Sequence, residues 1–276
     1  MRQVGDARGR PVALPDRVDR VVSLVPSLTE WLVHAGVGER LVGVTDWCAE
    51  PAEAVAGLPK VRGTKNPDLR AILALEPDLV VANAEEDRKL DVDRLEAGGL
   101  PVFVTMPTTV AGAVAELRDL AAAVGGLPHA AAIDADLVAA VAAADRSRPP
   151  AGGVGGTPGG FPGGSGPRYA CAVWRDPWMW VGRRTYAADL LGLAGAEPVL
   201  DDPATRYPKI EPDAVTVLRP DLVLLPSEPY AFGAADAEEV AGWSGARVEL
   251  VDGRALTWYG PRIPAALAAF RALLTA

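Results

Sequence analysis

Two stretches of the chain carry the same pattern of apolar and polar positions. Residues 67–82 read PDLRAILALEPDLVVA, and residues 212–226 read PDAVTVLRPDLVLLP. Each predicts a short helix that stops before a proline, then an aspartate, then an unbroken apolar run. Pro77 and Pro220 cannot continue a helix, and each biases the residue before it toward extended backbone. The runs that begin at Leu79 and Leu222 are continuous rather than alternating, which suits strands buried on both faces of a parallel sheet. Asp68 and Asp213 stand where a helix N-cap or a first-turn acid belongs.

The order of elements around these two stretches also matches. RVVSLVPSLTEWLVHAGV predicts a strand, a Pro-Ser turn and an amphipathic helix, with Ser27, Thr29 and Glu30 as cap and first turn. RYACAVWRDPWMWVG followed by RRTYAADLLGLAGA repeats that order in the second half. A further helix and strand close each half, the strands being LPVFVT and ARVELVD. One β-α-β-α-β-α-β arrangement used twice accounts for both. The expected fold class is α/β, with two similar lobes built on central, mostly parallel sheets.

Residues 109–148 are alanine-rich, with helical patterning in VAGAVAELRDLAAAVG and in PHAAAIDADLVAAVAAADRSR. Pro128 fits the first turn of the second segment. A helix of about 20 residues spans roughly 30 Å, enough to run along both lobes. The next stretch, PPAGGVGGTPGGFPGGSGP, has no periodicity and reads as a disordered loop. It lacks GK[ST] and a strand leading into it, so it is no phosphate loop. The expected division is residues 1–108 as an N-terminal α/β lobe, 109–148 as connecting helices, 149–167 as a Gly/Pro-rich insert and 168–276 as a C-terminal α/β lobe.

Composition narrows the function. The 276 residues carry a net charge of −9, a field that repels phosphate backbones and anionic lipid, so nucleic-acid binding is excluded. No apolar run reaches the roughly 18 residues of a spanning helix, so membrane insertion is not expected. MRQVGDARGRPVALPDRVDR is not followed by an apolar stretch of signal-peptide length. The expected address is cytoplasmic as written, and extracytoplasmic if a leader was omitted. Cys48 and Cys171 form no framework and no CxxC pair, and read as small buried apolar residues. Aromatics make up only 6% of the chain, which makes its seven tryptophans informative.

Several segments together resemble a known family. VVSLVPSLTEWLVHAGVGERLVGVTDWC, GTKNPDLRAILALEPDLVVANAEED, WRDPWMWVGRRTYAADLLGLAG, LLPSEPYAF and LTWYGPR are similar to the helical-backbone metal-receptor superfamily, the class III periplasmic substrate-binding proteins. Within it the likeness is to cobalamin-binding proteins of ABC importers. The resemblance implies two lobes joined by one rigid backbone helix, a ligand cleft between the lobes, and small closure motions. It also implies docking on a permease through one acidic residue per lobe. Asp213 matches the second of these positions, but Arg70 occupies the first, and a charge reversal there weakens docking on a basic socket. Two aromatic positions of cobalamin receptors align with Thr64 and Asn83.

In open α/β sheets ligands bind beyond the carboxyl ends of the strands. Four segments occupy such places: Thr45 to Cys48, Asn83 to Asp87, Trp174 to Trp180, and Thr257 to Gly260. A flat macrocycle with an amide-rich rim needs aromatic planes for its faces and polar groups at its edge. Trp47, Trp178, Trp180 and Trp258 with Tyr259 are the candidate planes, each stacking contact being worth about 0.5–1.5 kcal/mol beyond burial, and Trp174 is a further candidate ligand contact. Trp31 reads as core and Trp243 as packing for a surface helix. Thr64, Asn83, Glu86 and Asp176 are the candidate polar contacts, although Asn83 and the following acids read first as an N-capped helix start. The Arg175-Asp176 and Arg183-Arg184 pairs read first as surface ion pairs, with anion contact as the alternative.

His34 and His129 lie far apart in this layout, so a site of several imidazoles cannot be assembled and a free transition metal is disfavoured. Ser27 is in no GxSxG elbow and has no histidine base, and no catalytic constellation emerges. The expected protein is a monomeric, non-enzymatic binding protein for cobalamin or a similar metal chelate, with no covalent cofactor and an ABC importer permease as partner. A ferric-siderophore or haem-like chelate is the alternative ligand. A cytoplasmic enzyme or corrinoid-handling protein, or a pure interaction module, would each reuse the same fold.

Overall fold

The computed structural model describes residues 1–146 and 166–275. All but the last two residues of the Gly/Pro-rich stretch therefore lie outside the described residues. The chain forms two compact units. The first comprises Met1–Pro107, Ala111–Val138 and Tyr259–Pro261. The second comprises Thr108–Val110, Ala139–Trp258 and Arg262–Ala276. Most of the connecting-helix sequence thus belongs to the first unit, and three residues near the C-terminus return to it.

The first unit opens on an antiparallel hairpin, β1 (Arg2–Gly5) with β2 (Pro11–Leu14), which the sequence patterning did not suggest. Next come β3 (Val21–Ser23), α1 (Pro26–Leu32), β4 (Leu41–Val44) and the short α2 (Ala52–Val55). A two-residue ribbon of β5 (Arg62–Gly63) and β6 (Asn66–Pro67) precedes α3 (Leu69–Ala74), β7 (Leu79–Asn83), α4 (Lys89–Ala97) and β8 (Val102–Thr105). Strands β4, β3, β7 and β8 lie in that order and are all parallel. β7 and β8 are buried along their whole length, as continuous apolar runs in a parallel sheet must be. The alanine-rich segment forms α5 (Val110–Val124) and α6 (Ala130–Arg146), and α6 leads from the first unit into the second.

The second unit contains β9 (Arg168–Trp174), β10 (Met179–Trp180), α7 (Tyr186–Ala194), β11 (Glu197–Pro198), α8 (Pro212–Val217) and β12 (Leu222–Pro226). It continues through α9 (Ala234–Ser244), β13 (Arg247–Val251), α10 (Gly253–Thr257) and α11 (Ile263–Thr275). Its parallel strands follow the order β11, β9, β12, β13, the same order as the first unit's sheet. β10 is an addition that folds back antiparallel on the far end of β9. Among the described residues no helix is long and apolar enough to cross a membrane.

The repeated sequence has a repeated structural job. Asp78 accepts the backbone N–H of Arg20 at 2.9 Å, and Asp221 accepts that of Arg168 at 2.8 Å. Each arginine in turn donates from its guanidinium to the carbonyl just before the proline, Glu76 O at 3.1 Å and Arg219 O at 3.2 Å. The Pro-Asp pair therefore ends a helix and pins the entry of the neighbouring strand. One local expectation fails in both copies. Glu76 and Arg219, which precede the prolines, are left-handed rather than extended, with φ of 45° and 52°. A left-handed residue stops a helix in one step, a job usually given to glycine.

The start of α1 also departs from expectation. The helix begins at Pro26 with Val25 as an N-cap whose apolar side chain makes no capping hydrogen bond. Thr29 instead turns inward, with Oγ1 2.9 Å from Ser23 Oγ and 3.1 Å from Cys48 Sγ. Ser27 and Glu30 are buried rather than capping. Asp68, by contrast, caps α3 as expected, accepting from the Ala71 N–H at 3.1 Å.

Candidate functional site

The loops beyond the strand ends of each unit carry the residues singled out above. In the first unit, the apolar run of β7 delivers Asn83 to the end of the strand. Its Oδ1 accepts from the N–H groups of Glu85 and Glu86 at 2.8 and 3.2 Å, the turn that asparagine side chains favour. Asp87 Oδ2 closes the turn by accepting the Asn83 N–H at 2.8 Å. Asn83 therefore caps a tight turn, not a helix, and α4 starts only at Lys89. Burial pushes the Asp87 carboxyl up to about 7, aided by Asp91, against the opposing Asn83 N–H and Lys65 ammonium.

Asn83 Nδ2 donates to Thr105 Oγ1 at 3.2 Å and to the Tyr259 hydroxyl at 3.0 Å. Thr105 spends its proton on Ala82 O at 3.2 Å, so across the 2.7 Å contact it is Tyr259 that donates to Thr105. Burial raises the Tyr259 phenol far above its usual range and keeps it neutral. Asn83 and Tyr259, expected as ligand contacts, thus spend these groups on each other and on Thr105.

Other residues singled out from sequence lie on neighbouring loops of the first unit. Trp47, on the loop after β4, is 67% exposed. It stands over the β5–β6 ribbon, since a Cβ on Gly63 would lie 3.1 Å from its Nε1. Thr64 is the next residue along that ribbon, and Lys65 reaches Glu85 O at 2.5 Å. Trp47, Thr64 and the turn bearing Glu86 are thereby gathered on one edge of the first unit.

In the second unit, the tryptophans of the β9–β10 hairpin divide into two groups. Trp174 ends β9, is 42% exposed, and meets Tyr230 edge-on at 5.6 Å. Asp176 is exposed at the hairpin turn. Trp178 and Trp180 are core residues, stacked at 5.4 Å, with Trp243 edge-on to both. Trp180 is fully buried and donates its indole N–H to Ile210 O at 2.8 Å. Phe232 covers Trp178 at 5.9 Å, and Arg175 lies 5.5 Å from the Trp178 ring while pairing with Asp236 and Glu239. The expectation that Trp178 and Trp180 offer planes to a ligand is corrected on this geometry: both face the core.

Trp258 is likewise enclosed. Its N–H donates to Glu228 Oε1 at 2.6 Å, and the guanidinium carbons of Arg254 and Arg262 lie 5.2 and 5.1 Å from its ring. Arg175-Asp176 forms part of an ion-pair cluster, as expected of a surface pair. Tyr230, on the loop after β12, is not among the contacts expected from sequence, yet it is the ring that meets Trp174. Among the described residues, no three His, Cys, Asp or Glu side chains come together to hold a metal ion.

A family model described as periplasmic binding protein matches residues 21–242, covering both strand-end loop systems up to α9. The chain belongs to the periplasmic binding protein family. Its two units are the two α/β lobes of that fold, and membership supports a substrate-binding role. The vitamin B12-binding protein of Yersinia pestis (strain Pestoides F) is 36% identical over 103 residues, which is 37% of this chain and 36% of that protein. The match thus spans only about a third of the curated relative. Among solved structures, the periplasmic vitamin B12-binding protein of Vibrio cholerae superposes with a TM-score of 0.76 at 18% identity, covering 95% of this chain and 98% of that one. At that identity the likeness shows the fold alone. The apo periplasmic heme-binding protein of Roseiflexus sp. RS-1 has a TM-score of 0.70 at 25% identity, covering 92% of this chain and 98% of that one. The cytoplasmic address expected from the sequence finds no support in this family, whereas the extracytoplasmic alternative does.

Proposed function

We propose that this periplasmic binding protein captures a metal chelate with a flat apolar face, in the first place a corrinoid such as cobalamin, and binds it without chemistry. The observation that carries the reading is the exposure of two indoles at strand ends, Trp47 in the first unit and Trp174 in the second. A large aromatic surface left in water is costly unless a partner covers it. Stacking on a macrocycle recovers that area and adds about 0.5–1.5 kcal/mol per ring. Thr64, Glu86, Asp176 and Tyr230 supply polar edges beside these planes. The 36% identity to a vitamin B12-binding protein favours a corrinoid over other flat solutes.

A haem-like or ferric-siderophore chelate is the second reading, favoured by the fold shared with the Roseiflexus heme-binding protein at 25% identity. An enzymatic or cytoplasmic reuse of the fold draws no support from the family. The partner in this reading is an ABC importer permease, with Asp213 exposed in the first turn of α8 as one docking group. Arg70, exposed on α3, replaces an acid at the other docking position and lowers affinity for a basic socket.

Titration of the purified protein with cyanocobalamin, followed by tryptophan quenching and the corrin absorption bands, tests the leading reading. Saturable quenching that weakens in Trp47→Ala and Trp174→Ala supports it. No change with cobalamin at micromolar concentration, together with saturable binding of hemin, transfers the assignment to the second reading.

A further inference from the structure

The two sheets share a strand order, yet their outer edges are finished differently. In the first unit the edge strand is β8, and the tip of the N-terminal hairpin covers it. The Ala7 N–H donates to Val104 O at 3.0 Å, the Asp6 carboxylate accepts the Val104 N–H at 3.3 Å, and the Arg8 guanidinium donates to Val102 O at 3.0 Å. In the second unit the corresponding strand is β13. The strand ends fix the match: the Ala84 N–H donates to Thr105 O and the Ser227 N–H to Val251 O, both at 2.9 Å. Val248 and Leu250 therefore correspond to Val102 and Val104.

Alternation along β13 shows which of its backbone groups are in use. The Arg247 N–H donates to Asp221 O at 3.1 Å and Val251 O accepts from Ser227, so residues 247, 249 and 251 turn their groups toward β12. The N–H and C=O groups of Val248 and Leu250 point out of the sheet, and among the described residues no hydrogen bond reaches them. Leu250 is 47% exposed. A row of unpaired groups along a sheet edge is a template for another strand.

The side chains select that strand. Arg247 and Glu249 are opposite in charge, with Nε and Oε1 3.4 Å apart, and Arg247 also donates to Leu273 O at 2.6 Å. When two β13 strands pair antiparallel about a two-fold axis, the register centred on Val248 sets Arg247 of each copy opposite Glu249 of the other. Val248 then exchanges both backbone bonds with its own counterpart, and the Leu250 N–H meets Ala246 O. The ladder ends there, because the Ala246 N–H is already held by Ser244 Oγ at 3.2 Å. Centring on Glu249 would oppose two carboxylates, which is destabilising. Centring on Leu250 would set Glu249 against Val251 and form no ion pair.

We propose that β13 is a docking edge for a second copy of this chain, paired antiparallel in the register centred on Val248. The monomer expected from sequence then describes the dilute protein. A contact along one strand edge falls below the roughly 1,200 Å² of stable interfaces, so the association is weak and concentration-dependent. The pairing uses no solute, and it stands or falls independently of the chelate-binding reading.

Sedimentation velocity from about 1 μM to about 1 mM tests this, with wild type expected to shift toward dimer across the range. Glu249→Arg sets arginine against arginine in both ion pairs and weakens association about tenfold or more. Arg247→Glu does the same with carboxylates. An equimolar mixture of these two single variants restores opposite charges at all four positions and dimerises, as does Arg247→Glu/Glu249→Arg. Val248→Pro removes an outward N–H, leaves the bonds to β12 in place and abolishes association; if it fails to fold by circular dichroism, the charge variants decide. Wild type that stays monomeric at about 1 mM overturns the proposal. So does a dimer unaffected by Glu249→Arg, or failure of the mixed single variants to pair.

Discussion

Asp78 accepts the backbone N–H of Arg20 at 2.9 Å, and the same carboxylate oxygen accepts the Asp19 N–H at 2.8 Å. One side chain thus satisfies two donors at the point where the chain enters the first sheet; in the second unit Asp221 accepts one, the Arg168 N–H, because the residue before Arg168 is Pro167. Asp78→Ala is expected to destabilise the protein by about 1–2 kcal/mol, the value of a charge-assisted bond discounted for solvent exposure. Asp221→Ala costs a similar amount, Asn at either position costs less, and the two losses add because they lie in different units. Urea unfolding checks this; a loss as large in the Asn variants as in Ala would show that the acceptor is not what matters.

The Asn83–Thr105–Tyr259 network supports a second expectation. Tyr259→Phe deletes the hydroxyl bonded to both partners and leaves buried Asn83 with one donor fewer in use. The cost is about 1–3 kcal/mol. Thr105→Val is expected to act on the same network, so the double variant costs less than the sum of the two. Additive losses in a double-mutant cycle would remove the coupling.

What sequence made legible is set by range. Helix stop, acid and buried strand are written within a few residues, so the LEPDLV and LRPDLV stretches foretold β7 and β12, one buried strand in each sheet. The Asp68 cap was equally local. Asn83 looked like a cap for the same reason and was half right: its side chain does cap backbone donors, but of a turn. Its other partner, Tyr259, lies 176 residues away and no local pattern announces it. Trp178 and Trp180 resemble ligand planes when aromatic content is counted, whereas their packing on each other and on Trp243 turns both to the core. Trp47 and Trp174 kept the exposure that a ligand contact requires.

The buried Asp87 carboxyl makes stability depend on pH in a defined direction. Its folded value, pushed by burial from 3.8 to about 7, lies above its unfolded one, so the folded state holds the proton more tightly. Its contribution is fully present below about pH 4 and is lost as pH rises through about 7. Asp87→Asn cannot ionise and retains an acceptor for the Asn83 N–H. The variant is therefore expected to match or trail wild type at pH 4 and gain on it up to pH 7, by at most about 4 kcal/mol, then hold that gain. Denaturant unfolding of both proteins from pH 4 to 8 measures the difference, and a gap that does not change with pH would refute the assignment.

The tryptophans allow stability and binding to be separated. Trp180 is fully enclosed, stacked on Trp178 and hydrogen-bonded to Ile210 O, so Trp180→Ala opens a cavity in the second unit's core. The expected cost is about 3–5 kcal/mol. Trp180→Phe restores most of the volume and loses mainly the hydrogen bond. Trp47→Ala removes a side chain that is 67% exposed and should leave stability within about 0.5 kcal/mol of wild type. Chelate affinity should respond in the opposite sense, falling about tenfold in Trp47→Ala and hardly at all in folded Trp180→Phe. Paired urea unfolding and cyanocobalamin titrations on the three variants read both quantities. Loss of binding in Trp180→Phe with none in Trp47→Ala would place the ligand on the hidden ring instead of the exposed one.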